Sequence, residues 1–176
     1  VNYALDGSKL NLLLQFSVLP GNERDWSLVQ VALTDITARK KAEAYLEYLG
    51  THDVLTKLYN RSFYVDELNR LERKGPYPVT IIMADLNGLK AANDELGHAA
   101  GDQLLRRAGE VLNSVIEKPS HAARIGGDEF VIIQTGIRSA RDAELVANRV
   151  IKSVSRSHVV KDQSYMIGAS IGISVA

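Results

Sequence analysis

Six residues, Val79-Thr80-Ile81-Ile82-Met83-Ala84, form an almost unbroken apolar run that ends on Asp85. A run this short and rich in β-branched residues reads as a strand, and its weak polar alternation predicts a strand covered on both faces. That demands a central place in a sheet. Upstream, Arg61 to Lys74 reads as a helix with Phe63, Leu68 and Leu71 apolar, stopped by Gly75-Pro76-Tyr77-Pro78. Downstream, Leu89 to Leu96 and Asp102 to Ile116 read as two helices split at Gly97 and Gly101. Ala122 to Ile125 and Glu129 to Gln134 read as strands around Gly126-Gly127-Asp128, a hairpin turn by composition. Ser139 to Ser157 reads as a helix opened by Ser139 and Asp142 as a capping box. Last, Ile167, Ala169, Ile171, Ile173 and Val175 alternate with Gly168, Ser170, Gly172 and Ser174, a strand with one thickly packed and one thinly clad face. The order from Arg61, α-β-α-α-β-β-α-β, predicts an α+β domain: an antiparallel sheet with flanking helices.

The first 51 residues are different. Lys9 to Leu19 and Trp26 to Ile36 are β-type runs separated by Pro20-Gly21-Asn22. Two strands cannot bury both their faces, so this stretch reads as the end of a sheet domain that begins upstream. Thr37 to Gly50 reads as a charged amphipathic helix, with Ala42, Tyr45, Leu46 and Leu49 on its apolar side. It is either a linker lying on a domain or a dimerising signal helix, and two heptads are too few to decide.

Composition narrows the function. The 176 residues suit one domain plus a fragment at roughly 150 residues per domain. With 21 basic and 21 acidic residues the formal charge is zero, against a strongly basic nucleic-acid binder or a polybasic membrane anchor. No apolar run is long enough to span a bilayer. The absence of Cys removes disulfides, thiolate zinc sites and Cys nucleophiles, and fits a reducing compartment, here the cytoplasm.

Acidic residues carry the candidate chemistry. Asp85 leaves the end of a buried strand in Met83-Ala84-Asp85-Leu86-Asn87-Gly88, where a hard cation such as Mg²⁺ could be held. Asp128 and Glu129 sit side by side at a glycine-rich turn, and adjacent carboxylates repel unless a cation or proton offsets them. Gly126 and Gly127 let backbone approach a ligand closely. By composition alone, a hairpin with solvated acids is an equal reading. Asn93 and Asp102 suit guanine: a carboxylate accepts from N1–H and the 2-amino group, and an amide donates to O6 or N7. Taken singly, each is more simply a helix-end residue.

Taken together, Asp85-Leu86-Asn87-Gly88-Leu89-Lys90-Ala91-Ala92-Asn93-Asp94, Gly97-His98-Ala99-Ala100-Gly101-Asp102 and Arg124-Ile125-Gly126-Gly127-Asp128-Glu129-Phe130 strongly resemble the GGDEF domain of diguanylate cyclases. Asp53 to Arg61 is similar to that family's opening segment, and Ile171-Gly172-Ile173-Ser174 to its late strand. The resemblance divides the chain into the end of a PAS-like sensor domain at 1–36, a helical linker at 37–51, and a GGDEF domain at 52–176 that stops before the family's final helix and strand. Asp35-Ile36-Thr37 resembles the usual PAS exit.

The resemblance implies a palm-like, nucleotidyl-cyclase fold. It also implies condensation of two GTP into cyclic di-GMP and two pyrophosphates by a head-to-head homodimer, regulated by an upstream sensor. It implies Mg²⁺ (or Mn²⁺) held by Asp85, the Leu86 carbonyl, Asp128 and Glu129; guanine read by Asn93 and Asp102; and phosphate charge neutralised by Lys90 and Arg124. Glu129 would lie at the metal or near the attacking 3′-hydroxyl. The alternative is a catalytically silent GTP-binding regulatory module. Where the family usually has a second acid and aromatics, this chain has Asn87, Gly88 and Leu89; where it has Gly, this chain has Lys57. Many cyclases carry Arg-x-x-Asp before the turn as a product-inhibition site. Glu117-Lys118-Pro119-Ser120 stands there instead, so no inhibitory site is expected.

Overall fold

A computed structural model of the chain describes residues 2–116, 118–137, 139–155, 157–160, 163–166 and 168–175, with side chains at 156–167 left out. Glu117 and Ile167, both named above, lie outside the described residues. The chain divides into Val1–Tyr48 and Leu49–Ala176.

In the first unit, β1 (Asn2–Tyr3) pairs with β2 (Lys9–Leu10), and β3 (Leu12–Val18) pairs with β4 (Val29–Asp35), both antiparallel. Leu14 faces Leu33 and Phe16 faces Val31 across the second ladder. All four side chains are exposed, so the hairpin buries neither face on its own. The Asp35 carboxylate accepts the Thr37 N–H at 2.8 Å, capping the start of α1 (Thr37–Thr51), the helix expected at 37–50. No residue of α1 is buried.

In the second unit, the apolar run lies in β5 (Val79–Asn87), which extends three residues beyond the predicted end. With β6 (His121–Arg124), β7 (Glu129–Thr135) and β10 (Gly168–Val175) it forms an antiparallel sheet in the order β10-β5-β7-β6. β5 is therefore interior, as its composition requires. Between α5 (Ala140–Val154) and β10 the chain adds a separate hairpin, β8 (Ser157–Val160) with β9 (Gln163–Met166), which the sequence pattern did not show.

Two-residue periodicity splits the sheet into two faces. Ile82, Ala84, Leu86, Phe130 and Ile132 pack with Leu104, Ala108 and Leu112 of α4 (His98–Val115) and with Ala147, Val150 and Val154 of α5. Ala92 of α3 (Leu89–Leu96) joins the same cluster. On the other face Val79, Val131 and Ile133 pack with Leu71 of α2 (Arg61–Lys74). Burying Phe130 completely contributes about 2–3 kcal/mol. Met83, Asp85, Asn87, Glu129, Ser170 and Gly172, at the other end of the α2 side, remain exposed.

The caps match the local chemistry. The Asn60 side chain accepts the Phe63 N–H at 3.0 Å, and Gly75, at φ 64°, closes α2. The Ser139 Oγ accepts the Asp142 N–H at 3.1 Å, as the capping reading expected. One boundary is corrected. Only Gly97 (φ 85°) divides α3 from α4, and α4 starts at His98 rather than Asp102. Gly101 is a buried helical residue, and a Cβ there would overlap the Asn93 Oδ1. Its role is close packing rather than chain breaking.

The segment before α2 is docked tightly. A Cβ on Gly109 of α4 would lie 2.8 Å from both the Cβ and the carbonyl oxygen of Thr56. The Tyr59 N–H donates to the Ala122 carbonyl at 3.1 Å and the Arg124 N–H to the Tyr59 carbonyl at 2.8 Å, so this segment runs along β6. Lys57 here has φ 62°, the left-handed region that favours glycine. Replacing Lys57 with Gly removes that strain and should raise unfolding stability by about 1 kcal/mol, read by thermal or urea denaturation.

Candidate active site

Strand alternation builds the site. Along β5, Ala84 and Leu86 point into the core, which turns Met83, Asp85 and Asn87 to the open face. In the antiparallel register, Asp85 stands directly opposite Glu129 on β7 and opposite Ser170 on β10. Both acids are exposed. Side chains directly opposite in a ladder lie about 4.5–5.5 Å apart at Cβ, and like charges there destabilise the pair. A cation between them reverses that sign.

Opposite these acids, β10 presents the thinly clad side of its alternation. Ser170 and Gly172 leave space beside Asp85 and Glu129, and a cavity of about 330 Å³ opens there, with Met83 and Ile171 in its wall. Asn87, standing where the resemblance expects an acid, donates from Nδ2 to the Ser170 Oγ at 2.9 Å and ties the end of β5 to β10.

The turn at 126–128 is held from both sides. The Leu86 N–H donates to the Asp128 carbonyl at 3.0 Å, and the Ile125 N–H to the Glu129 carbonyl at 3.0 Å. A Cβ on Gly126 would overlap the Glu129 Oε2, so glycine there lets the Glu129 carboxylate fold back over the turn. Gly127 meets no neighbour within 4 Å.

Arg124, expected to meet phosphate, has its guanidinium engaged with the protein. Nε donates to the Gly126 and Gly127 carbonyls at 3.1 and 3.2 Å, and Nη2 to the Gly127 carbonyl at 2.8 Å. Nη1 pairs with Asp53 at 3.3 Å, with the two side chains 15% and 24% exposed. Asp53 also accepts the Thr56 N–H at 2.8 Å and the Thr56 hydroxyl at 2.7 Å. Partial burial pushes the Asp53 carboxyl up, but the Thr56 hydrogen bonds and the Arg124 charge outweigh it and hold it below the usual carboxylate range. Sequence reasoning named Asp53 only as part of an opening segment and gave Ser170 no site role. Their partners lie 71 and 83 residues away, a separation that no local pattern reveals.

A second group forms at the α3–α4 junction. Asn93, in the last turn of α3, packs against Gly101, the residue before half-buried Asp102. The Asn93 Oδ1 is buried and has no hydrogen-bond partner. An unpaired buried acceptor costs roughly 1–3 kcal/mol, a cost tolerated where a ligand uses the same amide. Lys90 is exposed in the first turn of α3, behind Gly88 at φ 91°.

The residues fall into two groups: Asp85, Glu129 and the turn around Asp128, and the Asn93–Asp102 pair. Among the described residues no three His, Cys, Asp or Glu side chains converge as a closed metal cage. Two carboxylates and nearby carbonyls are instead an all-oxygen, open donor set, the kind that suits Mg²⁺ with waters and substrate phosphates as its remaining ligands.

The Asp53–Arg124 pair makes a pH prediction. A carboxyl depressed in the folded state lends stability that is present above its unfolded value, about 3.9, and is lost as pH falls through the folded value. Asp53→Asn should therefore lower the unfolding midpoint at neutral pH. Its deficit should shrink below about pH 4, as read by thermal melts across the acid range.

Comparison with known proteins supplies the lineage. Residues 50–176 match the family described as "Diguanylate cyclase, GGDEF domain". The chain is 32% identical over 170 residues to the probable diguanylate cyclase DgcE of Escherichia coli, covering 92% of this chain and 15% of that protein. The chain spans 19% of the length of other curated relatives it matches, so it corresponds to a small part of those proteins. Among solved structures, a sensory box/GGDEF family protein from Caulobacter crescentus superposes with TM-score 0.62 at 39% identity, over 71% of this chain and 83% of that one. The coiled coil and GGDEF domain of DgcB from the same organism, solved in complex with c-di-GMP, superposes with TM-score 0.70 at 27% identity, over 80% and 77%. From Gly50 to its last residue, the chain belongs to the GGDEF family of diguanylate cyclase domains.

Proposed function

We propose that this domain is the output module of a diguanylate cyclase, condensing two GTP into cyclic di-GMP and two pyrophosphates, with each subunit of a head-to-head homodimer presenting one GTP. The observation that carries the reading is the pair of opposed carboxylates, Asp85 and Glu129, on an open sheet face beside a glycine turn. Family membership points the same way.

In each half-reaction a ribose 3′-oxygen attacks the α-phosphorus of the facing GTP, the bond to the pyrophosphate oxygen breaks, and the hydroxyl proton is released. The residues of this chain position and polarise. Asp85, the Leu86 carbonyl, Asp128 and Glu129 are the ligands for Mg²⁺ or Mn²⁺, which when bound stabilises charge on the attacking and leaving oxygens. Lys90 and the free N–H groups at the start of α3 face the phosphates, where a helix N-terminus favours anions. Asn93 and Asp102 read guanine, and the unpartnered Asn93 Oδ1 leaves that amide open to a base. Arg124 acts as a positioning residue: it holds the turn carbonyls and Asp53, and so the place of Asp128 and Glu129.

The dimer reading gains support from α1, whose Tyr45 and Leu46 are exposed apolar residues on a helix with no buried position. An upstream sensory domain accords with the hairpin at 12–35, which exposes its apolar face. Substrate and product place the reaction in the cytoplasm. Among the described residues no helix is long and apolar enough to cross a membrane. No nucleic-acid partner is proposed, consistent with the zero formal charge.

Incubation with GTP and Mg²⁺, followed by mass spectrometry, should yield cyclic di-GMP. Asp85→Asn and Glu129→Gln should each lower kcat by about 10²–10³-fold, the scale of losing one preorganised electrostatic contact. Each should also raise metal-free stability, because one of two facing like charges is gone. GTP-dependent thermal stabilisation without product would assign the silent regulatory module instead. Asp102→Ala should retain turnover with GTP but lose discrimination against ATP, measured as the ratio of kcat/KM values.

A further inference from the structure

A second cavity, of about 380 Å³, opens beside the start of β6, at the end of that strand away from the Gly126–Asp128 turn. His52, Lys57, Asn113, Lys118, Ser120 and His121 line it, and none of these belongs to the site described above. Two ammonium groups, two imidazoles, an amide and a hydroxyl thus share one concavity. Among the described residues no carboxylate lines it. The acid near its edge is Glu67, 3.8 Å from the His121 Nε2, and Glu67 is already paired with Arg70 at 2.6 Å. Like-charged groups gathered without acids favour an anionic ligand.

One wall is built of rings. Tyr59 stacks on Phe63 with centroids 3.6 Å apart, His121 stands edge-on to both at 5.4 Å, and His52 lies 4.6 Å from Tyr59. This packing fixes where both imidazoles sit. The rim supplies an independent sign. Lys57 is held at φ 62°, a conformation that glycine adopts without strain. The strain persists because the Lys57 N–H donates to the Asp53 carbonyl at 2.9 Å and Tyr59 is hydrogen-bonded to β6. A strained residue bearing a charge at the rim of a cationic cavity points to function rather than to packing.

We propose that this cavity binds a phosphate-class oxyanion, either free or as the phosphate of a nucleotide. Lys57 and Lys118 supply charge; Asn113, Ser120 and the imidazoles supply directional donors.

The test uses metal-free protein in EDTA, with inorganic pyrophosphate and GMP as probes, followed by thermal unfolding and calorimetry. A ligand that binds the native state raises the midpoint. Pyrophosphate should do so, and both Lys57→Gly and Lys118→Ala should weaken its binding by tenfold or more. Because Lys57→Gly is expected to be more stable than the wild type, lost binding there is not misfolding. Asp85→Asn should bind the probe as the wild type does, which separates this cavity from the catalytic face and from the success or failure of the cyclase reading. Tighter binding of GMP than of pyrophosphate would identify a nucleotide as the source of the phosphate, and the reverse a free oxyanion. An unchanged wild-type midpoint with both probes overturns the proposal. So does undiminished binding in Lys57→Gly and Lys118→Ala, or binding lost in Asp85→Asn.

Discussion

The register of β5 against β7 is the constraint on which the rest depends. With Ile82 opposite Ile132 and Ala84 opposite Phe130, every core residue of β5 meets a core residue of β7, and Asp85 then falls opposite Glu129. A slip of one residue would send Asp85 into the apolar layer beneath α4 and α5 and bring Ile82 and Ala84 to the open face. Burying an unpaired carboxylate is costly, so the same apolar packing that stabilises the sheet also holds the two acids together at its exposed end. The repulsion between them is a local cost that the surrounding core outweighs and a cation relieves.

The turn carrying Asp128 has no core of its own. Its carbonyls are gathered by Arg124, and Arg124 is anchored by Asp53, whose own segment is fastened to β6 and packed on Gly109 of α4. Charge-assisted hydrogen bonds in a half-buried setting are stronger than exposed ion pairs, which makes this chain of contacts a firm support. It links the residues that follow α1 to the loop that holds the acids. Movement at the start of the domain can therefore reach the site through a few defined contacts rather than through the bulk of the core.

Much of this was legible beforehand. The apolar run ending at Asp85, the strands around Gly126-Gly127-Asp128 and the two-faced last strand each carried their own periodicity, and each appears as an element. The start of α4 was misread because Gly101 looks like a breaker in sequence. In the fold it is the contact point for Asn93, where any side chain would collide. The role of Arg124 was drawn toward phosphate because an isolated arginine beside an acidic turn suggests it. Its actual partners are backbone carbonyls and an aspartate 71 residues earlier. The cationic cavity left no trace in the sequence, since its residues come from separate stretches of the chain.

The sequence by itself determined the elements, the central place of β5, the two candidate acidic positions and the family, because these rest on local periodicity and on ordered motifs. Only the tertiary structure decided which acids face each other, that the small residues of β10 leave space beside them, and that Asn87 pairs with Ser170. It alone showed that Lys57 occupies a glycine's conformation. The physical reason is common to all of these. Strand register, cross-chain hydrogen bonds and backbone strain are set by the packing of residues far apart in sequence, and no local pattern encodes them.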